Sequence, residues 1–224
     1  MPMTDTTCLQ LSQLLPAGRA LHLRPGDLLC RINGLPFTGG AEALAERFAA
    51  ARPLALGFRR GEADFTLLAE TAALGRWESV PAPVLPEGPR LHPEVLRNWE
   101  VLAAPDATYD LQPLSGVTLA WLATPLWLLQ MRLWGLAAAL AAAVALAFAV
   151  APWLAAGVHL LAAVHVGRAG PAYVRADRRL RGLLPVATLA AGSEAEAHAA
   201  WLRLAPNARF LFARALPLPA PASA

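Results

Sequence analysis

The chain has 224 residues, of which 56% are AVILMFWYC and only 16% are charged, with a formal net charge of +3. That is too apolar and too charge-poor for an ordinary soluble domain. All 19 basic residues are arginine, and a chain without lysine has no Walker A phosphate loop, no Schiff-base nucleophile and no Ser/Lys dyad. Residues 1–114 carry 10 Arg against 13 Asp and Glu, net −3, whereas residues 115–224 carry 9 against 3, net +6. Because the basic half is also the apolar half, a phospholipid membrane is the expected acidic partner, and nucleic acid is not.

Met1 to Thr7 is polar and precedes no apolar run with a small-residue cleavage site, so no cleaved secretory signal is expected. Cys8 and Cys30 form no CxxC or paired metal spacing and read as reduced, structural thiols. From Cys8 to Glu70, short alternating runs are separated by turns. Arg24-Pro25-Gly26-Asp27 is a tight turn, Leu28–Ile32 a strand, and Asn33-Gly34 a second turn. Gly39-Gly40 opens a helix whose Leu44, Phe48 and Ala51 share one face, and Pro53 ends it. Leu54, Leu56 and Phe58 then alternate along a strand, Gly61 turns, and a last strand runs from Asp64 to Ala69. This is a small α+β unit.

In these residues the sequence resembles a PDZ domain of the bacterial type. LHLRPGDLLCRING is similar to the family's A-G-L-x-P-G-D-x-I-x-x-x-N-G run, with His22 where the family usually has glycine. The resemblance covers about 60 residues and implies a groove beside the helix face of Leu44, Phe48 and Ala51, where a C-terminal peptide adds as a strand. The family's glycine-containing carboxylate loop has only a poor counterpart, at Leu14 to Gly18, so peptide binding stands beside a packing-only role.

Residues 75–106 read as a Pro-rich linker over 75–92, with Pro81, Pro83, Pro86 and Pro89, and a short helix from Pro93 to about Ala103 that carries Leu96, Trp99 and Ala103 on one side. Val117–Leu129, interrupted by Pro125, reads as an interfacial or re-entrant helix, with Trp121 and Trp127 at headgroup depth and Gln130 and Arg132 on phosphates. From Leu133 to Gly167 there are 35 residues without a charge, and one helix of that length would span about 52 Å against a hydrocarbon thickness of about 30 Å. The run is therefore expected to fold back at Pro152, giving two transmembrane helices over 133–151 and 153–168. Trp134 and Trp153 would mark the interfaces, and Gly170-Pro171 would break the second helix. A hairpin places Arg132 with Arg168, Arg175, Arg178, Arg179 and Arg181 on one side as lipid contacts. By the positive-inside rule both termini are then cytoplasmic.

Pro185–Ala190 is strand-like, Ser193 to Glu196 is a capping box opening a helix to Leu204, and the terminal ALPLPAPASA is expected to be disordered. Residues 107–204 resemble a second family, small uncharacterised bacterial inner-membrane proteins with an F-G-P-L-W-L-L-x-x-R-x-W-like run before a hairpin. Thr124-Pro125-Leu126-Trp127, Arg132 and Trp134 carry that likeness. It implies a multi-pass protein of the inner membrane and no assigned activity.

No HExxH, GxSxG, GxGxxG or catalytic carboxylate pair occurs in the apolar half. His159 and His165 lie about 240° apart on a helix and cannot chelate one ion together. A haem held by His159 alone is a minor reading beside an ordinary hydrogen-bonded histidine. The expected whole is an α+β PDZ-like domain (1–74), a linker (75–106), a membrane hairpin (107–182) and a cytoplasmic strand, helix and tail (183–224). It has no catalytic residues, metal or cofactor. The expected function is that of a non-enzymatic membrane-anchored adaptor whose module recruits a protein partner. The alternative is an accessory or assembly subunit of a larger membrane complex.

Overall fold

The computed structural model describes residues 7–83, 88–115 and 118–213. In chain order the elements are β1 (Thr7–Leu14), α1 (Pro16–Ala20), β2 (Leu28–Ile32), β3 (Leu35–Pro36), α2 (Ala41–Ala50), β4 (Leu54–Arg60), β5 (Ala63–Ala69) and β6 (Gly75–Pro81). A 3-10 turn at Pro93–Val95 follows, then β7 (Arg97–Ala103), β8 (Thr108–Pro113), α3 (Thr118–Leu122), α4 (Thr124–Gln130), α5 (Trp134–Val150), α6 (Pro152–Leu180), β9 (Leu184–Ala191), α7 (Glu194–Leu204) and β10 (Arg209–Phe210). Among the described residues the strands form two sheets. Sheet A has the order β5-β4-β2-β1-β6 with β3 on β2, and sheet B the order β10-β8-β7-β9.

Sheet A follows from the alternation. Leu9 and Leu11 of β1, Leu29 of β2, Leu54, Leu56 and Phe58 of β4, and Phe65 and Leu67 of β5 are all buried. The Pro25-Gly26 turn is held by Asp27, 1% exposed. It accepts from the Arg24 backbone N–H at 2.8 Å and from Nε and Nη2 of Arg60, both at 2.7 Å. His22 has φ +56°, the left-handed region that favours glycine.

The chain from Gly75 is not a free linker. Gly75 to Pro81 pairs with β1 from Leu14↔Gly75 to Thr7↔Pro81 and becomes one edge of sheet A. Residues 84–87 of the expected linker, like the terminal ALPLPAPASA, lie outside the described residues. The expected helix over Pro93–Ala103 is a 3-10 turn followed by strand β7. Trp99, Val101 and Ala103 share a face at period two, and pairing on both sides, to β8 and β9, outweighs the coincidental helical spacing of Leu96, Trp99 and Ala103. Nor is the second sheet tethered loosely to the first. One core runs from Leu29, Phe58 and Leu67 to Trp99, Val101 and Leu189. The Asn98 side chain also pairs with both backbone groups of Leu68, at 2.8 and 2.9 Å.

The expectation of a membrane hairpin is corrected. Among the described residues no helix is long and apolar enough to cross a membrane. α5 is apolar throughout but has 17 residues, about 25 Å of rise against the roughly 30 Å of a hydrocarbon core. α6 has 29 residues, and its second half carries Arg168, Arg175, Asp177, Arg178 and Arg179. The two transmembrane spans, the multi-pass inner-membrane placement and the cytoplasmic termini inferred from them therefore fall. The fold is mixed α+β with a helical hairpin, α5 and α6, turning at Pro152.

Two features of that hairpin differ from expectation for local reasons. α6 continues through Pro171, because Gly170 before it has no Cβ to meet the proline ring. The segment expected to be interfacial is two short helices, α3 and α4, packed on α6. A Cβ on Gly167 would stand 2.4 Å from the Trp121 ring, and one on Gly170 would stand 2.8 Å from that of Trp127. Those glycines are what let the two indoles close on the helix.

Candidate functional site

Strand alternation gives sheet B two unlike faces. Trp99 and Val101 of β7, Tyr109 and Leu111 of β8, and Leu189 of β9 join the core. Glu100, Asp110, Gln112 and Thr188, all buried, alternate with them. Glu100 stands between Gln112 and Thr188 across the three strands. Such a polar row needs partners, since a buried charge without one is costly.

α6 supplies those partners. Arg175 forks onto Glu100, Nε to Oε2 at 2.7 Å and Nη2 to Oε1 at 3.0 Å. One turn on, Arg178 pairs with Asp110 and with Asp177, and its Nη2 donates to the Met131 carbonyl at 2.9 Å. Gln112 Nε2 donates to the Pro171 carbonyl at 3.3 Å. His22 Nδ1 lies 3.2 Å from Thr188 Oγ1. Burial lowers the His22 pKa; the Glu100 charge opposes this and Arg175 adds to it. The arrangement clamps the hairpin to the β body, and the bidentate Arg175–Glu100 fork restricts orientation as well as distance.

Beyond the clamp, the hairpin is bare. Leu146, Phe148, Val150, Trp153, Leu160 and Leu161 are each between 62% and 78% exposed, and Trp134 is 61% exposed. His159 lies against Leu140, Val144 and Phe148 in an apolar cleft of about 460 Å³ between the two helices. His165 pairs with Tyr173. Among the described residues no group of three His, Cys, Asp or Glu could hold a metal ion.

The residues picked from sequence are distributed differently from expectation. Leu44 and Phe48 are 0% and 8% exposed and plug the core of sheet A, whereas Ala51 is exposed, so the three do not line an open groove. Of the expected lipid contacts, Trp127 is buried, and Arg175, Arg178 and Arg181 pair with carboxylates of the same chain. Arg132 lies over the rings of Phe210 and Phe212. Trp134, Trp153, Arg168 and Arg179 are exposed.

No protein-family model, curated protein or solved structure matches this chain. Glu100, Asp110 and Gln112 were not singled out from sequence. Their signal was the alternation of β7 and β8, which sets all three opposite the aromatic and aliphatic residues of the core.

Proposed function

We propose that the protein is a non-enzymatic docking subunit, in which the clamped hairpin packs against apolar helices of a partner protein within a larger assembly. The observation that carries this reading is the run of exposed large apolar side chains from Leu146 to Leu161. Large apolar side chains exposed in this number at one end of a hairpin mark an interaction surface.

Two features favour a protein over lipid as what covers it. Arg175, Arg178 and Arg181, which would otherwise face phosphates, are engaged by Glu100, Asp110 and Asp177. Alanine fills nine of the 17 positions of α5, and small residues let partner helices approach closely. The clamp then fixes how the β body is presented to the assembly.

A second reading, an adaptor that takes up an extended peptide, is favoured by one observation. Among the described residues β6 pairs only with β1, leaving the outer edge of sheet A open to strand addition.

Purification of the full chain in a mild detergent tests the docking reading against a variant with Leu146, Phe148, Leu160 and Leu161 all changed to Ser. The wild type is expected to retain a stoichiometric partner that the variant loses. Retention of the same partner by the variant contradicts the reading. So does flotation of the wild type on protein-free vesicles with no protein bound.

A further inference from the structure

Among the described residues β6 pairs only with β1, and the side it leaves open can be worked out residue by residue. The carbonyl of Leu74, just before β6, accepts from the Leu15 N–H at 3.0 Å, and that of Arg76 accepts from Ser12 Oγ at 3.3 Å, so both face β1. Backbone groups alternate sides along a strand. The N–H and C=O of Gly75, Trp77 and Ser79 therefore face away from β1, and Pro81, which has no N–H, ends the row.

Between them stand Arg76 and Glu78, both exposed, and neither has an ion-pair partner among the described residues. Edge charges of one sign would repel a second copy of the chain. These are of opposite sign and two residues apart, which suits an antiparallel copy in one register. With Trp77 opposite the partner's Trp77, Arg76 stands opposite the partner's Glu78, and Glu78 opposite the partner's Arg76. Both contacts fall at positions without backbone bonds across the pair, where facing side chains come closest. Gly75 meanwhile exchanges backbone bonds with the partner's Ser79. Sliding the copies by two residues sets Arg76 against the partner's Arg76, or Glu78 against the partner's Glu78, and like charges directly opposite are destabilising. We propose that two copies of the chain pair through β6 about a two-fold axis at Trp77, joining their sheets A into one. This pairing is independent of what covers the hairpin, and it fills the open edge with this chain rather than a foreign peptide.

Two full-length copies carrying different affinity tags, co-expressed and captured through one tag in maltoside detergent at low salt, test it. Wild-type copies are expected to be recovered together. Arg76→Glu in both copies, or Glu78→Arg in both, sets like charges at each contact and is expected to weaken the pairing about tenfold. Arg76→Glu in one copy with Glu78→Arg in the other restores opposite charges at both contacts, and joint recovery is expected to return, which misfolded variants would not do. The hairpin variant with Leu146, Phe148, Leu160 and Leu161 changed to Ser is expected to keep the second copy. No joint recovery of wild-type copies, recovery indifferent to charge reversal, a loss that the mixed pair does not restore, or a loss in the hairpin variant overturns the proposal.

Discussion

Arg178 and Asp110, 68 residues apart in the chain, form an ion pair with side chains only 2% and 3% exposed. It joins the second half of α6 to the polar face of sheet B. Because the desolvation of both charges has already been incurred in the fold, removing one partner leaves the other buried and uncompensated. Arg178→Met or Asp110→Leu alone is expected to lower unfolding stability by about 3–5 kcal/mol. The double substitution, which removes both charges, is expected to cost less than the sum of the two singles. Urea denaturation of the three variants checks both statements; additivity would mean the pair does not act as one unit.

Acid sensitivity should report the His22 contact with sheet B. Burial holds its pKa below the ordinary value, so the folded state binds this proton less readily than the unfolded chain. The sign follows: the contribution is fully present above the unfolded pKa of about 6.5 and is lost as pH falls toward the lower folded value. Stability measured by urea is expected to decline below about pH 6.5, and to decline less in His22→Gly. At neutral pH that variant exchanges a strained φ of +56° for the loss of the Thr188 contact, so its net change there should be small.

The thiols should be silent until the β body opens. Cys8 and Cys30 are 1% and 2% exposed. Burial pushes Cys30 up to about 11, with Cys8 adding to the shift, and raises Cys8 as well. Iodoacetamide at pH 7.5 is expected to leave both unmodified in the folded chain and to alkylate both in urea, as read by intact mass. Modification without denaturant would mean that sheet A opens locally at β1 and β2.

Gly18 is fixed by its neighbour rather than by its backbone angle. A Cβ there would stand 2.1 Å from the Leu74 carbonyl oxygen, a backbone atom that also accepts from the Leu15 N–H at 3.0 Å. Gly18→Ala is expected to cost about 1–3 kcal/mol, as overpacking does. Thermal unfolding measures it, and an unchanged midpoint would show that α1 can shift away from the start of β6.

Local pattern carried much of the amino-terminal half. The alternation of Leu54, Leu56 and Phe58, the Pro25-Gly26 turn and the Leu44/Phe48 helix each form the element they predict. The apolar run does turn at Pro152, although the bilayer thickness on which that expectation rested does not apply to helices that do not span a membrane. Tertiary pairing was less legible. Gly75 to Pro81 runs into the prolines at 81, 83, 86 and 89 and so looks like linker, yet β1 has an open edge and draws it in as a strand. Trp99 fits a helix face and a strand face equally, and only the presence of β8 and β9 on either side decides. The arginines of α6 look like a membrane-facing belt in one dimension. Their partners Glu100 and Asp110 lie in the acidic half of the sequence, 75 and 68 residues away.

The central claim, that another protein covers the bare hairpin, is tested most directly by photo-crosslinking in cells. Leu160, 65% exposed and far from the clamp, would be replaced by p-benzoylphenylalanine in the full chain and the adduct identified by mass spectrometry. One dominant crosslink to an apolar helix of a different protein is the predicted result, with no such adduct from the same substitution at exposed Glu62 of the β body. Crosslinks to lipid alone, to a second copy of this chain alone, or to nothing would contradict the account.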